Sequence, residues 1–118
     1  MVLVDTSVWV AHLRHGAIGL EALLVAGRVL CHPCIVGELA CANLRNRSEI
    51  ISLLQRLPGA IQAEHEEVVQ FIDKNGLMGK GLGYIDMHLL ASARLTGVAL
   101  WTLDKRLDEV ATNLGVAP

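Results

Sequence analysis

The chain has 118 residues, enough for one domain around one hydrophobic core. Apolar residues make up 53% and charged residues 19%, which excludes a disordered or low-complexity chain. Net charge is −2 at pH 7, so no whole-molecule basic field draws the chain onto nucleic acid, and any such contact must be local or helped by a cation.

Aromatic residues are scarce. Trp9, Phe71, Tyr84 and Trp101 are the whole set, too few for a platform that stacks RNA bases. Every apolar run is broken by Glu, Arg, His or Asp before it reaches the roughly 20 residues a spanning helix needs. The start, Met1-Val2-Leu3-Val4-Asp5, lacks the basic flank and apolar stretch of a signal peptide. Three cysteines do not make a disulfide scaffold, so the chain reads as cytoplasmic. So apolar a short chain also suggests a surface patch covered by a partner, such as a second copy or a bound peptide.

In chain order, Val2-Leu3-Val4 reads as a short buried strand stopped by Asp5-Thr6-Ser7. Thr6 or Ser7 is the expected cap of a helix from Val8 to Gly16. Leu20–Leu24 forms a second helix closed at Gly27, and Val29–Cys31 a second strand. A helix follows Pro33 and ends near Asn43, carrying Ile35, Leu39 and Ala42 on one face. Ser48–Leu57 is a further helix stopped by Pro58-Gly59, and Ala60–Gln62 reads as a third short strand. Glu64–Asn75 is an acid-started helix with a Gly76 stop. After a loop over residues 76–83, another helix holds Ile85, Leu89 and Leu90 and stops at Gly97. Val98–Trp101 is the strongest strand, Leu103–Leu114 the last helix, and Gly115–Ala117 a final edge strand. Strands alternating with helices of this length imply an α/β protein with a parallel sheet and helices on both faces. In such sheets ligands bind beyond the carboxyl ends of the strands.

Four acids draw the eye there. Asp5 directly follows the first strand and Asp104 lies just past the strongest one. Glu38 sits in Ile35-Val36-Gly37-Glu38-Leu39, and Asp86 in Gly83-Tyr84-Ile85-Asp86-Met87-His88, both odd surroundings for solvated acids. Each alone has an ordinary explanation as a helix cap or a surface residue. Together they converge on one sheet edge. Four grouped carboxylates oppose one another's ionisation, and a hard divalent cation relieves that conflict. Oxygen ligands indicate Mg²⁺ or Mn²⁺ rather than zinc. The chemistry served is phosphodiester hydrolysis by metal-activated water, which needs neither a histidine base nor a basic pI.

The ordered set Val4-Asp5-Thr6-Ser7, Glu38-Leu39, Gly83-x-x-Asp86 and Thr102-x-Asp104 resembles PIN domains, and among them the VapC-type ribonuclease toxins. The trailing Ala111…Leu114-Gly115-Val116 fits as well, so the likeness covers almost the whole chain as a single PIN-like domain, residues 1–118. The resemblance implies a three-layer α/β/α sandwich and a Mg²⁺- or Mn²⁺-dependent endoribonuclease. It further implies a homodimer neutralised by a VapB-like antitoxin. Asp5, Glu38, Asp86 and Asp104 take the family's acidic, metal-holding positions, and Thr6 and Thr102 its small polar supporting positions. One departure concerns the last acid, followed here by Lys105-Arg106-Leu107-Asp108 where many relatives carry an acidic or aromatic pair. Asp104 then ligates directly or through water, with or without Asp108, and Lys105 and Arg106 are candidate RNA contacts.

Competing constellations are weaker. Cys31-His32-Pro33-Cys34 between a strand and a helix is the arrangement of a thiol–disulfide oxidoreductase, the second reading. The sheet it needs is wrong, since only Pro58 is available before a later strand. Zinc held by Cys31, Cys34, Cys41 and His32 lacks a paired ligand near Cys41. A non-catalytic PIN-like binding module is the third reading. His12 and His15 read as surface residues, and the glycines around Lys80 lack the spacing of a phosphate loop.

Overall fold

A computed structural model describes residues 1–16 and 18–118. Its centre is a three-stranded parallel sheet of β1 (Val2–Val4), β2 (Val29–Leu30) and β3 (Ala99–Trp101) in the order β2-β1-β3. Val2 pairs with Val29 on one side and with Ala99 on the other. The β-branched and leucine side chains of these strands are buried on both faces, which is why they read as unbroken apolar runs.

The described helices are α1 (Thr6–His15), α2 (Leu20–Val25), α3 (Pro33–Ala40), α4 (Arg47–Arg56), α5 (His65–Asn75), α6 (Tyr84–Thr96) and α7 (Lys105–Asn113). They make the sheet the middle of an α/β sandwich. Leu3, Trp9, Leu20, Ile35, Leu39, Leu54, Leu89, Leu90, Leu100 and Leu107 are the largest fully buried side chains, so every helix but α5 contributes one. Burial of such a side chain stabilises the fold by roughly 1.5–3 kcal/mol. α5 contributes the fully buried Val68 instead.

Four expectations need correction. Asp5, not Thr6 or Ser7, caps α1, so the helix starts two residues earlier than its apolar pattern suggests. Ala60–Gln62 is not a strand. The segment makes only a parallel bridge between Cys31 and Gly59, with Cys31 N–H donating to Pro58 O and Ala60 N–H to Cys31 O. Pro58 has no N–H to extend that ladder. Gly115–Ala117 likewise forms no strand, although Leu100 N–H donates to Val116 O at 2.7 Å. The helix after Pro33 closes at Ala40, its last turn capped by the Cys41 N–H.

Candidate active site

Asp5 leaves the carboxyl end of the central strand. Its N–H still belongs to the ladder, donating to Trp101 O at 2.9 Å, while its carboxylate turns to cap α1. The residue is 6% exposed, and its Oδ2 is held by two hydroxyls, Ser7 Oγ and Thr102 Oγ1, each at 2.7 Å. Each hydroxyl is aimed in turn by a backbone donor. Leu103 N–H donates to Ser7 Oγ at 3.0 Å, and Asp104 N–H to Thr102 Oγ1 at 3.0 Å. Two parallel relays therefore tie the turn after β3 to the carboxylate after β1. Thr102 is as buried as Asp5.

Asp104 heads α7. Its Oδ1 accepts from the Arg106 and Leu107 N–H groups at 2.9 and 3.2 Å, filling two donors that a helix start leaves open. Asp86 does similar work at the start of α6, where its Oδ2 accepts from Gly83 N–H at 3.1 Å. Glu38, half-buried on α3, accepts from Thr6 Oγ1 at 2.7 Å and is thereby fastened to the first turn of α1.

The four acids share one pattern. In each, the hydrogen bonds described go to a single carboxylate oxygen, and every donor is an uncharged hydroxyl or backbone N–H. The second oxygen of each has no donor among the described residues. The carboxylates are held in place without being neutralised.

Asp86 feels two of the other acids. Burial pushes the Asp86 carboxyl above its ordinary range, and the charges of Asp5 and Asp104 push it the same way against the Gly83 hydrogen bond. Asp86 at the start of α6 is thus within electrostatic reach of Asp5 after β1 and Asp104 before α7. Glu38 joins them through Thr6, not through its own field on Asp86.

As they stand, no three acid, histidine or thiol groups among the described residues gather closely enough to close a coordination shell. The donor set nevertheless suits a hard divalent cation, because it offers second oxygens from fixed carboxylates and no soft ligand.

Of the four acids expected to converge, Asp86 senses Asp5 and Asp104, and Glu38 is tied to Thr6 beside Asp5; Thr6 and Thr102 each donate to an acid. Sequence reasoning missed the Ser7 hydroxyl as another such donor. The signal was local, since a serine two residues after an acid that ends a strand is placed to reach back to it. In the sequence reading Ser7 stands as a helix cap and within the Val4-Asp5-Thr6-Ser7 set, without its bond to Asp5.

The cysteine motif fares differently. Cys31, Cys34 and Cys41 are free thiols. Burial pushes the Cys31 thiol up, and burial with the nearby Glu38 charge pushes Cys34 up. A redox-active pair needs the opposite shift. His32, the residue between them, caps α3 by accepting from Cys34 N–H at 3.0 Å through Nδ1. The motif starts a helix and serves the fold.

The sequence profile described as PIN domain matches residues 2–113. The chain belongs to the PIN-domain family. Two curated relatives of this PIN domain, both named Ribonuclease VapC32, come from Mycobacterium tuberculosis strains CDC 1551 / Oshkosh and ATCC 25618 / H37Rv. Each is 42% identical over 118 residues, covering 99% of this PIN domain and 95% of the relative. The α/β sandwich is what the family assignment leads one to expect.

Proposed function

We propose that the protein is a VapC-type toxin, an endoribonuclease that hydrolyses RNA phosphodiester bonds with Mg²⁺ or Mn²⁺. The observation that carries this reading is the acid cluster itself, four carboxylates each fixed through one oxygen by uncharged donors and each offering the other. Whole-length likeness to two proteins named as ribonucleases supports it.

Asp5, Glu38, Asp86 and Asp104 would hold the metal. When bound, the ion supplies a nucleophile from water at neutral pH and stabilises the charge that builds on the attacked phosphate. Thr102 and Ser7 fix the direction of the Asp5 carboxylate, and Thr6 that of Glu38. Asp104 and Asp86 are fixed by the helix starts they cap. Lys105 and Arg106 lie next in the chain to Asp104, and their positive charge suits the phosphates of a bound RNA strand. Within this reading the partners are RNA, a VapB-like antitoxin and a second copy of the chain, and the site of action is the cytoplasm. No described helix is long and apolar enough to cross a membrane.

The direct test incubates the purified protein with single-stranded RNA and Mn²⁺ or Mg²⁺. Cleavage is expected with metal, lost in EDTA, and lost in Asp5→Asn. Expression should arrest growth, and co-expression of the neighbouring reading frame should restore it. An Asp5→Asn protein that cleaves RNA as fast as the parent overturns the assignment.

A further inference from the structure

A cavity of about 340 Å³, lined by none of the four acids, lies between the end of α5, the loop that follows it and α7. One wall is the glycine loop, residues 76–83, and the other is α7. Both walls lead to the acids. On the loop side, Gly83 donates its N–H to Asp86. On the helix side, Arg106 donates its N–H to Asp104.

Beside the amides of Asn75 and Asn113, the lining offers three further kinds of surface. Leu77 and Val110, 4% and 7% exposed, give an apolar floor. Lys80 and Arg106 bring two positive charges from opposite walls. Glu109 supplies the one carboxylate of the lining. Phosphate, ribose face and ribose hydroxyl ask for those three surfaces in turn. A carboxylate repels phosphate but accepts a hydrogen bond from a 2′-hydroxyl, the group that separates RNA from DNA. The volume lies at the small end of ligand sites, the size range of one nucleotide rather than a larger cofactor.

Arg106 is built into this arrangement. Its guanidinium lies against Gly81, where an added Cβ would come within 2.8 Å of Nη1. Gly81 also has φ +78°, a conformation that L side chains rarely adopt. The bare backbone there lets the arginine lie across the loop.

We propose that this cavity is a ribonucleotide subsite, in which Lys80 and Arg106 bind the phosphate and Glu109 the 2′-hydroxyl of a nucleotide flanking the bond that is cut. The proposal rests on the ribonuclease reading and adds to it a place where RNA is told from DNA.

The test measures binding of labelled single-stranded RNA and of DNA of the same sequence in EDTA, and RNA cleavage with Mn²⁺. For the Lys80→Ala/Arg106→Ala protein, RNA affinity should fall by about 100-fold, with the salt slope shallower by about 1.4 for two lost phosphate contacts. KM should rise with it, while kcat stays within about twofold. Glu109→Gln should reduce the preference for RNA over DNA by about tenfold and leave DNA affinity unchanged. Parent-like RNA affinity in the double variant overturns the subsite while leaving the ribonuclease reading intact. A fall in kcat with unchanged KM also overturns it, since the residues would then be supporting the acids. A parent protein that neither binds nor cuts RNA defeats both readings together.

Discussion

The hydroxyl of Thr102 donates to Asp5 across 2.7 Å, joining residues 97 positions apart in the chain. The same oxygen accepts the Asp104 N–H, so one side chain links the acids that follow β1 and β3. Thr102→Val keeps the shape and removes both bonds, leaving a buried oxygen of Asp5 with one donor fewer and the Asp104 N–H with none. A loss of about 1–3 kcal/mol in unfolding free energy is expected by urea titration. RNA cleavage should fall with it, and Thr102→Ser should restore both. A valine variant with parent stability and activity would show that the link does not matter.

Asp86 gives a metal-free prediction with a definite sign. Its carboxyl is raised by burial and by the Asp5 and Asp104 charges, so the folded protein holds that proton more tightly than the unfolded chain does. The ionised group costs stability at neutral pH, and the cost disappears as pH falls through the raised value. In EDTA, Asp86→Asn should melt at a higher temperature than the parent at pH 7.5, and the difference should close toward pH 3.8. Adding Mn²⁺ should reverse the order, since the cation stabilises only a site that keeps its charge. Equal Mn²⁺ stabilisation of both proteins counts against Asp86 as a ligand.

His32 works in the opposite direction. Burial, helped by the nearby His88, lowers it from 6.5 to about 4. The unfolded chain takes up the proton first, so stability is full above pH 6.5 and declines as pH falls from 6.5 to about 4. The whole effect is at most about 3 kcal/mol. His32→Asn keeps an oxygen to cap α3 but does not titrate. Urea unfolding of this variant should lose most of the parent's decline between pH 6.5 and 4.5, and a decline as steep as the parent's would assign the pH dependence elsewhere.

The three thiols should differ in reactivity. Cys41 is exposed, while burial raises both Cys31 and Cys34. Iodoacetamide at pH 7.5, followed by mass spectrometry, should label Cys41 first. Rapid labelling of Cys31 near neutral pH would revive an oxidoreductase reading.

How much of this was legible in the sequence depends on where each residue's partners lie. Asp5 and Asp104 could be read because each follows an apolar run, and a parallel sheet fixes what lies beyond its strand ends. Their hydroxyl supports could be read only in part. Thr102 stands beside its acid in a recognisable spacing, whereas Ser7 looks like any serine at a helix start. The edge segments were misread because a short β-branched run, such as Ala60-Ile61-Gln62, does not reveal whether a partner strand lies beside it. There the chain makes one bridge to Cys31 and then leaves, with the Ile61 N–H donating to Thr96 Oγ1 at 2.9 Å. The subsite on α7 left no motif, because its walls come from segments some 25 residues apart.

Three of the four acids begin helices with one oxygen, and the other takes no hydrogen bond from the described residues. Removing any of those side chains disturbs folding as well as activity, by about 0.5–2 kcal/mol for a lost cap. Glu38 stands apart, since it sits inside α3 and its hydrogen bond from Thr6 survives a change to glutamine. Glu38→Gln is therefore the substitution expected to disturb the fold least among the four acids.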